Sequence, residues 1–311
     1  MRVLGRLRYA LSAVMLAVAA LSVGVAPSVF AEEEIPEYRL QISPATLHID
    51  ELEPGETEKV KFRVQNTGSK EFDYEITVTP YSVSGTDYRQ DFSTTTHYTD
   101  IAKWVTFSQT TGTVEAGGQD EITATITVPQ DVPAGGQYAA IMVRMLENEE
   151  NSNSGASVSM YKQLGLVMYT SVEGETREEG KVLENKVPSF MFNPPISATS
   201  IVENTGNVHF EAEYILQVFP LFSDEEIYTN EDNPATSLIL PETQRFNTVS
   251  WEGAPRLGIF KVRQTVRVVG QPDSVTEKML FICPIWFMFI VLLIIFLIIF
   301  WIISRVRGRR V

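Results

Sequence analysis

The chain has 311 residues, room for about two domains at ~150 residues each, and its 44% hydrophobic and 21% charged residues are the proportions of a chain that folds. That sets disorder and collagen-like repeats aside. Its formal charge of -14 is unevenly spread: all 39 Asp and Glu and 18 of the 25 Lys and Arg lie in residues 32–278, and so acidic a region repels phosphate backbones, which excludes nucleic-acid binding.

Residues 1–31 have the three parts of a secretory signal peptide. Arg2, Arg6 and Arg8 are basic, Ala10 to Val25 is an apolar run, and Val29-Phe30-Ala31 is a small-residue site that predicts cleavage after Ala31. No Cys follows the apolar run, so a lipoprotein anchor is not expected.

The next 140 or so residues alternate with the period of strands. Val60, Phe62 and Val64 interleave with Lys59, Lys61 and Arg63; Phe72, Tyr74, Ile76 and Val78 follow the turn Asn66-Thr67-Gly68-Ser69; and Ile122, Ala124, Ile126 and Val128 form a third stripe. Glu53-Pro54-Gly55, Ala116-Gly117-Gly118 and Val132-Pro133-Ala134-Gly135-Gly136 supply the turns between them. Strands then run from Tyr138 to Met145 and from Val158 to Val172, and residues 146–157 read as the hairpin loop joining them, with a linker at that loop as the alternative.

The second half repeats the scheme. Ile196, Ala198, Ser200 and Val202 alternate up to Asn204-Thr205-Gly206-Asn207, and Phe210, Ala212, Tyr214, Leu216 and Val218 alternate away from it. Val64-Gln65-Asn66-Thr67-Gly68 and Val202-Glu203-Asn204-Thr205-Gly206 thus set the same turn between two strands in each half. From Phe260 to Val269 the expected last strand puts Phe260, Val262, Val266 and Val268 on one face and Lys261, Arg263, Thr265 and Arg267 on the other. Many short strands with Gly and Pro turns and no sustained helical stripe predict an all-β fold of two tandem Ig-like sandwiches, over residues 35–172 and 177–272.

Residues 279–304 carry no charge, and as a helix they exceed the ~30 Å hydrocarbon core of a bilayer. They are expected to form a single C-terminal transmembrane helix, flanked toward its ends by Trp286 and Trp301. Residues 305–311 form a basic tail with Arg305, Arg307, Arg309 and Arg310, so the positive-inside rule places the tail in the cytoplasm and the acidic region outside, a single-pass type I cell-membrane protein. Its only Cys, Cys283, lies in the expected span; the exported region therefore has no disulfide, and it has no Asn-x-Ser/Thr acceptor. That combination favours a bacterial envelope of the Gram-positive type.

Chemistry is sparse in the sequence. His48, His97 and His209 stand apart, and the carboxylates form runs such as Asp224-Glu225-Glu226 rather than spaced ligands, so neither metal nor cofactor nor catalytic residue is expected. Asn230-Glu231-Asp232-Asn233 offers hard oxygen donors for calcium, without the spacing of an EF-hand loop. No Gly-x-Ser-x-Gly, phosphate loop or dinucleotide fingerprint occurs. Leu240-Pro241-Glu242-Thr243-Gln244 differs at its last residue from a sortase signal and lies far from the apolar tail, so it reads as a turn entering a strand. In the irregular stretch from Tyr81 to Asp100, the rings of Tyr81, Tyr88, Phe92 and Tyr98 sit among Ser, Thr and Asp, and they either stack on sugars or a protein partner or fold back on the sandwich.

The first half carries Ile42-Ser43-Pro44, Leu52-Glu53-Pro54-Gly55, Val64-Gln65-Asn66, Trp104-Val105-Thr106-Phe107 and Val128-Pro129 leading to Gly136-Gln137-Tyr138. The second carries Asn204-Thr205-Gly206-Asn207-Val208-His209, Leu240-Pro241 with Arg245, Trp251, and Gly258-Ile259-Phe260-Lys261. On these runs the chain resembles the WxL-interacting cell-surface proteins of Gram-positive bacteria. Phe219 to Asn233 departs from that family, being a long acidic insert where a short turn is usual. The resemblance implies a peptidoglycan-binding first sandwich and a second directed at host or surface proteins, hence a non-enzymatic adhesion or scaffold protein. The alternative is a membrane-tethered, chaperone-like assembly factor that lends a strand to its client, which an open strand edge in the first sandwich would favour.

Overall fold

The computed structural model describes residues 36–49, 51–146 and 162–307, and from Tyr38 onward the chain is one compact unit. The expected signal peptide and the loop at 147–161 lie outside the described residues, as do the last four residues of the basic tail.

The fold is two Ig-like β-sandwiches followed by one apolar helix. In the first sandwich, one sheet has the order β1 (Leu40–Ser43), β3 (Thr57–Asn66), β9 (Gln119–Thr127), β7 (Val105–Phe107). The facing sheet runs β2 (Thr46–His48), β11 (Gln163–Val172), β10 (Gly135–Leu146), β4 (Phe72–Pro80), β8 (Thr111–Val114). All the stripes read from the sequence point inward: Phe62 and Val64, Phe72, Tyr74 and Ile76, and Ile122, Ala124 and Ile126 share one core. Burying side chains of this kind is worth about 1.5–3 kcal/mol each. β10 pairs antiparallel with β11 from Arg144↔Gln163 to Gly135↔Val172, so the two strands flanking 147–161 form a hairpin within the first sandwich.

In the second sandwich, β12 (Gly180–Lys186), β14 (Ile196–Asn204) and β18 (Gln244–Trp251) form one sheet. The other contains β13 (Phe190–Met191), β20 (Ser274–Ile282), β19 (Gly258–Arg267), β15 (Phe210–Pro220) and β16 (Tyr228–Thr229), with β17 (Ala235–Ile239) also on β15. The topology is that of the first sandwich. In both, the opening strand is split: its first part pairs antiparallel with the next long strand, and its second part crosses to pair parallel with the last, β2 on β11 and β13 on β20.

The repeated Asn-Thr-Gly turn has a repeated geometry. Asn66 is 1% exposed; its Nδ2 donates to the carbonyls of Lys70 (2.7 Å) and Val114 (3.0 Å), and its Oδ1 accepts the N–H of Gly68 (2.9 Å). Asn204, also 1% exposed, donates to the carbonyls of Val208 and Ile239 (2.8 Å each) and accepts from Gly206 (2.9 Å). Each Asn therefore closes its own turn and also ties it to the strand beside the outgoing one, β8 or β17, which a turn-forming Gly or Ser cannot do.

The chain's end differs from the sequence expectation. Phe260–Val269 is not the last strand: β20 follows it and extends to Ile282, with Leu280 and Ile282 buried in the second core. Met279–Ile282 therefore belong to a strand, and the helix α1 runs Ile285–Arg307, six residues later than the expected start. An uncharged run does not by itself separate a buried strand from a span; the alternation that ends in Leu280 and Ile282 does. Ile285–Ile303, 19 residues of α1, is long and apolar enough to cross a membrane.

Polar residues interrupt the second core, Ser200 between Ala198 and Val202 on β14 and Gln264 on β19 among them. Gln264 lies between Val262 and Val266 on the inward face of β19 and is 0% exposed, and among the described residues neither of its amide atoms has a partner.

Candidate functional site

Outside the two cores, a third cluster rich in aromatic side chains lies where the sandwiches meet. It begins with β10, which ought to alternate but is buried without interruption from Gly135 to Ile141. Ala139, Ile141 and Val143 face the first core, and the opposite face, Tyr138 and Ala140, is covered by a second cluster with Tyr81 and Leu240. A strand covered on both sides reads as a continuous apolar run, which Tyr138-Ala139-Ala140-Ile141-Met142-Val143 is.

The covering layer is the stretch from Tyr81 to Lys103. It holds a small ribbon, β5 (Ser82–Ser84) with β6 (Arg89–Asp91), and a 3-10 helix, His97–Lys103. Thr96 caps the helix: its hydroxyl accepts the Tyr98 N–H, and the Thr99 hydroxyl accepts the N–H of Thr96 (2.9 Å). The buried Gln137 side chain of β10 clamps it, accepting from the Ile101 N–H (3.1 Å) and donating to the His97 carbonyl (2.7 Å). Asp91 accepts from the N–H and hydroxyl groups of both Ser93 and Thr94, and those bonds hold its carboxyl far below the usual carboxylate range.

The four rings offered by the sequence to a ligand are used inside the molecule. Tyr81 is buried, and Tyr88, Phe92 and Tyr98 are half-buried against the same cluster. Tyr88, held at φ +60°, accepts the N–H of Leu240 (2.5 Å), lies 3.3 Å from the Thr243 hydroxyl and carries the Arg245 guanidinium over its ring at 4.3 Å. Tyr98 donates to Glu242 (3.2 Å), and burial together with that carboxylate pushes its phenol up to about 12. Phe92 packs on Tyr81, ring centroids 5.9 Å apart. Of the two outcomes left open by the sequence, the rings fold back; they fold onto the second sandwich as well as their own.

The partners come from the near end of that sandwich. Tyr138 OH accepts the His209 N–H (3.0 Å) and lies at hydrogen-bond distance from His209 Nδ1 (3.1 Å). The ring also packs on Tyr138 and Tyr169, and Tyr169 stacks on His48 at 5.3 Å. Burial, helped by His48, lowers the pKa of His209, so the imidazole is held neutral. Burial likewise raises the Tyr138 and Tyr169 phenols well above their ordinary value. At the margin, the Gly136 N–H donates to the Asn207 carbonyl (2.7 Å) and Asn207 Oδ1 accepts the Arg177 N–H (2.6 Å). Gly135 sits at φ +129°, and a Cβ there would come within 2.7 Å of the Asn207 oxygen.

Leu240-Pro241-Glu242-Thr243-Gln244 is the turn joining β17 to β18 and part of this junction, with Leu240 and Pro241 buried. Sequence reasoning missed Tyr138, Tyr169, His209, Asn207 and Arg245 as site residues. The signal was nonetheless present, since Gly136-Gln137-Tyr138, Asn207-Val208-His209 and Leu240-Pro241 with Arg245 are among the runs that carry the family resemblance, and here they meet.

Elsewhere the side chains in question have structural work. Asn230 donates to the Tyr214 carbonyl (3.0 Å) and accepts the Leu216 N–H (2.7 Å), so its amide oxygen, one of the donors considered for calcium, is committed to β15. No three His, Cys, Asp or Glu side chains gather at metal distance among the described residues. The last strand of the first sandwich has a half-covered edge. β2 pairs with Val167–Tyr169 and Leu52 bridges to Val172, whereas no described strand pairs with the outer side of Gln163–Leu166.

Residues 49–160 match the family described as Fn3-like domain. No curated protein sequence matches the chain. Among solved structures the chain is similar to the class 5 fimbriae chaperone CfaA, at 12% identity over 77% of this chain and 99% of that one, TM-score 0.39. It is similar to the YadV chaperone at 10% identity over 78% and 99%, TM-score 0.40, and to the E. coli chaperone DraB at 8% over 78% and 97%, TM-score 0.35. The chain is thus similar over most of its first sandwich to Fn3-like domains, and its all-β architecture, with two sandwiches of one topology, is what these comparisons accompany.

Proposed function

We propose that this chain is a non-enzymatic, single-pass cell-surface protein of the WxL-interacting kind, with both sandwiches outside the cell, and that it binds peptidoglycan or another wall glycan and surface proteins as an adhesion or scaffold protein. One observation carries the reading: two sandwiches locked to each other through an aromatic junction are joined to an apolar helix by Cys283 and Pro284 alone. Such an object presents a rigid surface at a fixed height above a membrane, as a scaffold requires. Because Tyr81, Tyr88, Phe92 and Tyr98 are spent on the junction, partners use other surfaces of the first sandwich and the acidic insert of the second.

The test is retention of the soluble fragment Tyr38–Cys283 on purified cell walls. The fragment has to reach Cys283, because a cut before Met279 removes Leu280 and Ile282 from the second core. Retention that survives about 0.5 M salt, where the Debye length is about 4 Å, identifies hydrogen bonding and stacking to glycan, and retention that salt abolishes identifies a charged partner. Absence of retention at any salt sinks the proposal. Release of soluble wall fragments by the pure protein refutes its non-enzymatic part.

A second reading, the chaperone-like assembly factor, is favoured by the open side of Gln163–Leu166, where a client segment can add as a strand. Hydrogen exchange distinguishes the two: slowed amides at 163–166 in the presence of a co-expressed surface protein support strand addition, and unchanged amides in a stable complex leave the scaffold reading.

A further inference from the structure

The insert between β4 and β8 in the first sandwich and the insert between β15 and β17 in the second occupy the same topological position, each following a strand that ends in Pro (Pro80, Pro220). The first covers the end of its sandwich that meets the next structural unit. The second, residues 221–234, begins at the opposite end of β15 from the junction, beside Phe260 and Gly258, at the end from which β20 leaves for α1.

That end is apolar on its outside. Phe222, at the tip of the insert, is 95% exposed. A row crosses the sheet through Phe190↔Phe281 and Phe281↔Ile259, all three side chains exposed, with Phe192 edge-on to Phe190 at 5.0 Å and Leu257 exposed beside Ile259. The core of this sandwich uses the alternate residues Leu280 and Ile282, so the row is surplus to folding. The tether fixes what lies against it. Only three residues, Ile282 to Pro284, separate Phe281 from Ile285, four Cα–Cα steps or at most about 14 Å of chain, and Trp286 lies in the first turn of the helix, where an indole suits the membrane interface of a spanning helix. With so short a connection, this end of the sandwich stays within reach of the headgroup layer whenever α1 spans.

We infer that the membrane-proximal end of the second sandwich is a lipid-contacting surface, with Phe222 and the row Phe190, Phe281 and Ile259 seated among the headgroups of the outer leaflet, so that the sandwich rests on the bilayer. The inference rests on the reading of α1 as a membrane span. Asp224, Glu225 and Glu226 follow Phe222 after one Ser, and their charge keeps the contact shallow: rings enter the interfacial layer and carboxylates stay in water.

The test uses the full-length protein in phosphatidylcholine vesicles, in a Cys283→Ala background, with an environment-sensitive nitrobenzoxadiazole label at one introduced Cys at a time. Phe222→Cys and Phe190→Cys probe the surface, Lys59→Cys on the first sandwich is the aqueous reference, and Leu293→Cys reports the span. Expected are blue-shifted emission at 222 and 190, loss of intensity to lipids with a nitroxide near the headgroup, little loss to lipids with one deep in the chains, and neither effect at 59. Label 293 should lose intensity chiefly to the deep nitroxide. Emission at 222 and 190 like that at 59, while 293 is quenched, overturns the lipid contact and leaves the span standing. A blue shift that no lipid nitroxide quenches means that a second protein copy covers the surface, and it also overturns the contact. An unquenched label at 293 removes the span and the inference with it.

Discussion

The two sandwiches share strand order, a split opening strand and a buried Asn at the same turn, and they part company in the inserts that follow β4 and β15. The first insert is aromatic and ordered by a capped 3-10 helix and a ribbon, and it makes β10 inaccessible on both faces while reaching Leu240 to Arg245 of the second sandwich. The second is acidic, and it covers β15 with polar contacts such as Gln217 Nε2 to Glu226 (2.7 Å) and Asn230 to the β15 backbone. One frame thus carries two kinds of lid. Apolar surface shed by the first insert binds the sandwiches together, whereas the second pays desolvation only at a few hydrogen-bonded groups and leaves its tip, Phe222, outside.

Breaking the shared frame should give the largest effect. Asn66→Ala and Asn204→Ala each remove a hydrogen bond to one strand carbonyl, one to a turn carbonyl and one from a turn N–H, and each should cost about 2–4 kcal/mol by urea denaturation. Equal losses support one frame used twice. A cost below 1 kcal/mol in one sandwich alone, an order of magnitude suggested by ordinary exposed hydrogen bonds, would break the equivalence.

A smaller loss should follow from Tyr138→Phe, which keeps the ring and removes the hydroxyl between the sandwiches. The His209 N–H and Nδ1 lose their partner, at about 1–3 kcal/mol. Its mark is faster proteolytic cleavage between Val172 and Gly180 with each sandwich still folded; cleavage there at the wild-type rate assigns the junction's strength to ring packing.

The smallest expected change is with pH, and it sharpens the contrast between the junction and the rest. His209 has a folded pKa below its ordinary 6.5 because of burial and the neighbouring His48, so the unfolded chain takes up a proton first as pH falls. The stabilisation is full above about pH 6.5 and is lost as pH drops from there toward the folded pKa. Thermal melts from pH 7.5 to 5 should fall more for the wild type than for His209→Gln; identical slopes assign the acid sensitivity to other groups.

The sequence by itself determined the class of fold. Period-two stripes such as Phe72, Tyr74 and Ile76 can bury one side of a strand and no helix face, and Gly and Pro turns bound them, so two sandwiches follow from local pattern alone. The repeated Asn-Thr-Gly turn was legible for the same reason, being local in its Gly68 and Gly206 contacts. What only the tertiary structure decided is non-local. Whether Tyr81, Tyr88, Phe92 and Tyr98 face solvent or a neighbour depends on residues some 150 positions away, such as Leu240 and Thr243, and nothing in their own segment encodes that distance. The start of the helix was misplaced by a related ambiguity: Met279–Ile282 carry no charge, which both a core strand and a membrane span permit, and pairing with β19 and β13 settles it for the strand. Local periodicity fixes which face of an element is apolar, and only the folded chain supplies what that face is buried against.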